Sequence, residues 1–331
     1  MKIDELDISI LRELRENCKR SASMLAEILD TNPNRIIERI RRLEREGIIR
    51  GYHANCDYSK LGYTMHAFIS LHLKENAIIN KTTLMYIKEL PEVTSFYSVT
   101  GAYDCFVIAR TTTRSALADI LKKINNSEYG GKTKTDMIFE TYRYTYEFNP
   151  FRTDAYHGQT KVEHVERPKL SYDNLDLAIA RELKKNAKIS YKELGKKLRT
   201  HQNTLIHRIR RLEESGIITK YTADIDYAKL GYTIGAVTML RFKSCEIPSQ
   251  EVVNEIAAIP EVKALYGISG VYDCAVVLLA KTIDDLARTL RIIRERTNDI
   301  ARSTTSIILN TYKEPYEYNP FLNMPLLKHE M

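Results

Sequence analysis

The feature that most constrains this chain is that it is written twice. Leu6-Asp7 returns as Leu175-Asp176, and the same spacing carries Arg41-Arg42-Leu43-Glu44 onto Arg210-Arg211-Leu212-Glu213. It also carries Lys60-Leu61-Gly62-Tyr63-Thr64 onto Lys229-Leu230-Gly231-Tyr232-Thr233, and Gly101-x-Tyr103-Asp104-Cys105 onto Gly270-x-Tyr272-Asp273-Cys274. The repeat is a polypeptide of about 150 residues, far longer than a solenoid unit. Between the copies, residues 152–171 form a polar stretch with scattered charges and Pro168, which reads as a linker.

Each copy divides again. Over residues 1–57 the apolar positions Leu6, Ile10, Leu11 and Leu14, then Leu25, Ile28 and Leu29, recur at helical spacing. A third helix is predicted from Pro33 to Glu46, stopping at Gly47, with Ile36, Ile37, Ile40 and Leu43 turned inward. Ile48-Ile49-Arg50-Gly51-Tyr52 then reads as a short two-stranded wing. From Met65 the period changes to two: Met65, Ala67, Ile69, Leu71 and Leu73 alternate with His66, Phe68, Ser70 and His72. A helix at 82–90, strands at 93–99 and 105–110, a helix at 115–124 and a strand of alternating aromatics (Tyr142, Tyr144, Tyr146, Phe148) follow. The order is that of a ferredoxin-like βαββαβ domain, with helices on one sheet face and the other face left for solvent or a partner.

The predicted fold class is therefore α+β, a helix-turn-helix with a wing joined to a ferredoxin-like domain, in tandem. Domain bounds are set at 1–60 and 61–151 in copy one, 152–171 for the linker, and 172–229 and 230–323 in copy two.

Charge is focused on the third helix. Between Arg35 and Arg50, Arg35, Arg39, Arg41, Arg42, Arg45 and Arg50 stand against Glu38, Glu44 and Glu46, although residues 1–57 as a whole are balanced. Arginines on an exposed helix often do no more than pair with neighbouring glutamates. Here Arg39, Arg41 and Arg42 return at Arg208, Arg210 and Arg211, in the third of three helices, which favours nucleic acid. Together with Arg45 they are cast as phosphate contacts. Base reading falls to the helix start: Asn34, Arg35 and Glu38 in copy one, and Asn203, Thr204 and His207 in copy two. Because Glu38 and His207 differ, the two readers are expected to prefer unlike half-sites.

Three spaced motifs, D-x-x-I-L-x-x-L at Asp7–Leu14, R-I-R-R-L-E-x-x-G-I-I at Arg39–Ile49 and Y-x-A-x-x-D-x-x-K-L-G-Y at Tyr52–Tyr63, resemble the leucine-responsive/asparagine-operon regulator (Lrp/AsnC) family, as does V-T-G-x-Y-D at Val99–Asp104. Copy two repeats each with small changes. The resemblance implies a transcription regulator with a DNA-binding winged helix-turn-helix and a ferredoxin-like effector and oligomerisation domain. It also implies an amino-acid-like effector near Gly101, Tyr103 and Asp104, and near Gly270, Tyr272 and Asp273. The residues themselves fit two readings: an aspartate that pairs a ligand ammonium, or a tight turn whose aspartate satisfies local amides. The sequence departs from the family in its tandem units, in aromatic extensions at Tyr146–Phe151 and Tyr316–Phe321, and in Thr200-His201-Gln202-Asn203, which lacks the proline of Thr31-Asn32-Pro33-Asn34.

A tandem chain can pair its own halves as an intramolecular pseudo-dimer, and pairing between chains into a homo-oligomer is equally open. No cofactor, metal site or catalytic residue is read from the sequence. The alternative is an enzyme of the sirohaem-decarboxylase type, which resembles the family and shares the tandem architecture; Asp104 and Asp273 have the wrong sign for a polycarboxylate. His66 and His72, replaced by Gly235 and Arg241, are read as polar or interface positions, and Cys105 and Cys274 as packing residues. The early acids Asp4 and Glu5, five cysteines without a C-x-x-C, and a longest apolar run of only Ala275–Ala280 predict a cytoplasmic protein with no membrane partner.

Overall fold

A computed structural model describes residues 3–74, 81–126, 131–144, 172–243, 249–297 and 299–315. The linker and both aromatic extensions lie outside the described residues. Copy one comprises α1 (Glu5–Glu16), α2 (Ala22–Ile28), α3 (Pro33–Arg45), β1 (Ile49–Cys56), β2 (Met65–Leu71), α4 (Lys81–Glu89), β3 (Val93–Val99), β4 (Cys105–Thr111), α5 (Arg114–Asn125) and β5 (Thr133–Arg143). Copy two comprises α6 (Asn174–Lys185), α7 (Tyr191–Leu198), α8 (Gln202–Glu214), β6 (Ile218–Ile225), β7 (Ile234–Phe242), α9 (Gln250–Ala257), β8 (Val262–Ile268), β9 (Cys274–Ala280), α10 (Ile283–Thr297) and β10 (Ile300–Lys313).

The chain forms two compact units, and they divide it by domain type rather than by copy. One gathers the helix-turn-helix parts of both copies and the other gathers both ferredoxin-like parts, with the crossings after Gly62 and Leu230.

In the helical unit, a capping box starts α1: Asp7 N donates to Asp4 Oδ1 and Asp4 N to Asp7 Oδ2, at 3.0 and 3.1 Å. Ile10, Leu11 and Leu14 are fully buried. The α3 start is fixed by Pro33 in its first turn and by Asn32 Oδ1, which accepts from Arg35 N at 2.9 Å. The α8 start has neither: His201 occupies the cap position and makes no side-chain cap bond.

The expected two-stranded wing is completed between the copies and not within one. Residues 49–56 pair antiparallel with 218–225 of the other copy, with His53 opposite Thr222, Tyr52 opposite Ala223 and Ala54 opposite Tyr221. The last two pairs exchange on swapping the copies, so an approximate two-fold axis passes beside His53 and Thr222. Each first helix docks on the other copy's strand. Arg15 Nη1 donates to Ala223 O at 2.9 Å, Cys18 N to Tyr221 O at 3.0 Å and Ala187 N to Tyr52 O at 2.8 Å. Lys19 lies 3.4 Å from the Tyr221 ring centre and Lys188 3.6 Å from that of Tyr52.

In the sheet unit, eight strands among the described residues close into an antiparallel barrel in the order β10-β3-β4-β2-β5-β8-β9-β7. The first part of β5 pairs with β2 of its own copy and its last part with β8 of the other; β10 likewise pairs with β7 and then β3. Closure leaves no bare strand edge. The sheet faces turned from the helices share one core, which includes Phe68, Tyr97, Phe106, Met239, Tyr266 and Val277. Helix-facing residues such as Ile69, Phe96 and Val107 form a separate core in copy one. The strand expected from aromatic alternation begins instead at Thr133, and its polar early residues are held by pairing with β2.

Candidate functional site

Base-reading candidates Asn34, Arg35, Glu38, Asn203, Thr204 and His207 all lie exposed in the first turns of α3 and α8. Arg41 is exposed beside them, and Arg45 and Arg210 keep 73% and 78% of their side-chain surface open. Arg210 Nε lies 3.7 Å from Glu214 one turn on, a loose surface pair.

The repeated arginines Arg39 and Arg42 are differently placed. Arg39 bonds to Asp4 at 2.5 Å and Asp7 at 3.2 Å, and Arg42 bonds to Asp7, whose side chain has no exposed surface. Copy two repeats the arrangement: Arg208 meets Asp173 and Asp176, and Arg211 meets Asp176, which is also fully buried. The recurrence of these four arginines, read from the sequence as a sign of phosphate contacts, thus has a local cause. They tie α3 to the capped start of α1, and α8 to that of α6. The matching recurrence of Asp7 and Asp176 was the signal that could have shown it. Asp4 is held down to about 2 by the backbone amide of Asp7 against a burial effect, with Arg39 adding to the fall.

Ile37, expected inward, is 37% exposed, and its counterpart Ile206 is 44% exposed. Only Ile36 and Leu43 of the expected inward set are fully buried, because the arc of α3 covered by α1 and α2 is narrower than its apolar stripe.

The C-terminal ends of the two reading helices are capped across the copies. Lys60 Nζ donates to Ser215 O at 2.6 Å, and Lys229 Nζ to Glu46 O at 2.7 Å. A lysine at a helix C-terminus meets unpaired carbonyls and the negative end of the helix dipole. The sheet unit repeats the device: Arg143, 2% exposed, donates to Ala257 O at the end of α9 and to Ile259 O just past it at 2.9 Å, while Lys313 donates to Lys88 O in the last turn of α4 and to Leu90 O just past it, at 2.9 and 3.1 Å.

In the effector-loop candidates, Gly101 and Gly270 take φ of +104° and +110°, a region that disfavours side chains. Each loop lies against the last strand of the other copy. A Cβ on Gly101 would stand 3.2 Å from Ser306 Oγ, and one on Gly270 only 2.3 Å from Asp136 Oδ1. Asp104 Oδ2 accepts from Leu73 N and Asp273 Oδ2 from Phe242 N, both at 2.8 Å, so both carboxylates brace local backbone. The Tyr103 ring stacks 4.6 Å from His72, and Tyr272 Oη is 2.8 Å from Thr304 Oγ1. His66 is buried edge-on to Tyr266 of the other copy, and burial pushes its imidazole well below its ordinary value. Cys105 and Cys274 are buried, free thiols.

These features define a tandem protein with paired winged helix-turn-helix domains and paired ferredoxin-like domains. The Lrp/AsnC ligand binding domain matches residues 66–148 and 239–318, an AsnC-type helix-turn-helix domain matches 3–44, and a winged helix-turn-helix DNA-binding domain matches 172–219. An uncharacterised HTH-type transcriptional regulator of Pyrococcus abyssi is 30% identical over 148 residues, 45% of this chain and 99% of the relative. The HTH-type transcriptional regulator Ptr1 of Methanocaldococcus jannaschii is 30% identical over 142 residues, 43% of this chain and 95% of its own. The chain belongs to the Lrp/AsnC family, as a DNA-binding regulator with AsnC-type ligand-binding domains and two whole family units in one polypeptide. It also shares the fold of the sirohaem decarboxylase NirDL, with a TM-score of 0.64 at 14% identity and 96% of each chain covered. No helix among the described residues is long and apolar enough to cross a membrane.

Proposed function

We propose that this chain is a sequence-specific transcription regulator in which one polypeptide supplies both halves of a reader that family members with one unit build from two chains. The observation that carries this is the β1–β6 pairing, which joins two unlike recognition helices in one unit while their outer faces stay exposed. Asn34, Arg35 and Glu38 read bases in one half-site, and Asn203, Thr204 and His207 in the other. Asparagine can bond both edges of adenine, and glutamate can accept from cytosine N4. Arg41, Arg45 and Arg210 take phosphates, with the freely exposed side chains a phosphate needs. Arg39, Arg42, Arg208 and Arg211 act first as braces for the reading helices, and any phosphate contact they make is shared with Asp7 or Asp176. A double-stranded DNA partner fits a cytoplasmic location.

The loops at Gly101, Tyr103 and Asp104 and at Gly270, Tyr272 and Asp273 are the proposed sensing sites for a small amino-acid-like molecule. With both carboxylates engaged by backbone amides, a ligand would be met by tyrosine hydroxyls and loop backbone. Homo-oligomers of the pseudo-dimer follow the family habit.

The likeness to NirDL favours a second reading, sirohaem decarboxylation. Asp104 and Asp273 at the loops have the wrong sign for a polycarboxylate, which supports the regulator. The test is affinity for random-sequence duplex DNA across a salt series, alongside a sirohaem decarboxylation assay on the same sample. Affinity falling steeply with salt, with no turnover, supports the regulator; turnover without DNA affinity overturns it.

A further inference from the structure

The exposed positions of the two recognition helices separate into those that differ between copies and those that do not. Arg35 and Thr204, Glu38 and His207, and Arg45 and Glu214 differ. Glu44 and Glu213 agree for a structural reason, since they accept from the hydroxyls of Tyr52 and Tyr221 at 2.6 and 2.5 Å. Three further agreements have no partner of that kind: Asn34 with Asn203, Ile37 with Ile206, and Arg41 with Arg210. Their spacing of three and then four residues puts each trio on one helix face, over about two turns.

An isoleucine at the centre of that stripe is unexpected. It exposes apolar surface, and its branched Cβ lowers helix propensity, so neither solubility nor helix stability asks for it. Flanked by an amide that can read adenine and a guanidinium that can hold a phosphate, it has the character suited to the apolar feature of the major groove, the thymine methyl. Resting on the DNA-reader interpretation above, we infer that Ile37 and Ile206 are base-reading residues that each pack on the 5-methyl group of a thymine. This contact is common to the two half-sites, whereas Arg35 and Glu38, or Thr204 and His207, set them apart.

The test begins with duplexes selected from a random library by the full chain. Each thymine of a selected duplex is replaced singly by deoxyuridine, and affinity is measured at one fixed salt concentration. One thymine in each half-site should weaken binding about fourfold on losing its methyl, the effect expected for one buried methyl group. Ile37→Ala should abolish that sensitivity in one half-site and Ile206→Ala in the other, while Ile37→Val, which keeps a branched apolar tip, should retain it. Thymines indifferent to the exchange, or a sensitivity that survives both alanine variants, overturn the isoleucine assignment alone. Failure to select any duplex overturns the DNA reader and this inference together.

Discussion

Arg39 Nη1 lies 3.2 Å from Asp7 Oδ1, joining the middle of the recognition helix to a carboxylate with no exposed surface at the capped start of α1. The bond fixes how far α3 can roll on the body of its domain, and so which side chains it offers a duplex.

Asp7→Asn should therefore be costly. It keeps the volume but leaves Arg39 and Arg42 facing a neutral group, and breaking such a buried pair costs about 3 kcal/mol. Thermal melting should show the loss, and Asp176→Asn should repeat it in copy two. Acid should act in the same direction. With Asp4 held at about 2, its contribution is complete above the ordinary carboxylate range near 4 and is lost as pH falls towards 2.

Exposed and braced arginines should part company in solution. Arg41→Ala and Arg210→Ala should leave the melting temperature unchanged, and each should reduce the slope of log affinity against log salt by about 1. Arg39→Ala should lower both stability and affinity. An equal melting loss in all three variants would show that the exposed pair is structural too.

The turn before each recognition helix contains a left-handed residue that is not glycine: Asp30 at φ 47° and Arg199 at φ 49°. Aspartate tolerates this region and arginine does not. Arg199→Gly should stabilise the helical unit by about 1 kcal/mol, whereas Asp30→Gly should change it little. Chemical denaturation of both variants checks the contrast.

Lys184, the counterpart of Arg15, is only 5% exposed. Burial pulls its ammonium down to about 8, with Cys56 and Asp224 acting in the opposite direction. Unfolded, a lysine keeps its proton to about 10.4. Below pH 8 both states carry the charge and the burial penalty is complete. Between pH 8 and 10 the unfolded chain binds more protons, so rising pH relieves the penalty and favours folding. Lys184→Met should exceed the parent in stability by about 2 kcal/mol at pH 7, and the gap should narrow as pH approaches 10. A gap independent of pH would place the lysine in water.

Much of this was legible from periodicity. The strand at 65–71 follows from alternation, and the α3 start follows from Asn32 and Pro33, because those signals are local. What was hidden is what depends on the other copy. Residues 48–52 read as a local wing because nothing in their pattern names 218–225 as partner. The early part of β5 carried no strand signal, because Thr133, Lys134, Thr135 and Asp136 lack apolar alternation and pairing with β2 holds them. The bracing of Arg39 and Arg42 was hidden because their acids lie 32 to 35 residues earlier in the sequence. At the effector loops, Gly101 and Gly270 were marked by the repeat and by the family resemblance, but the engagement of Asp104 and Asp273 by the amides of Leu73 and Phe242 was not legible.

The central claim is that one chain carries two different readers, and it is tested most directly by selecting bound duplexes with the intact protein and with Glu38→Ala at one stated salt concentration. The account predicts paired half-sites that are related but unequal, with the variant relaxing preference in one of them only. Identical half-sites, or an equal loss in both, would contradict it.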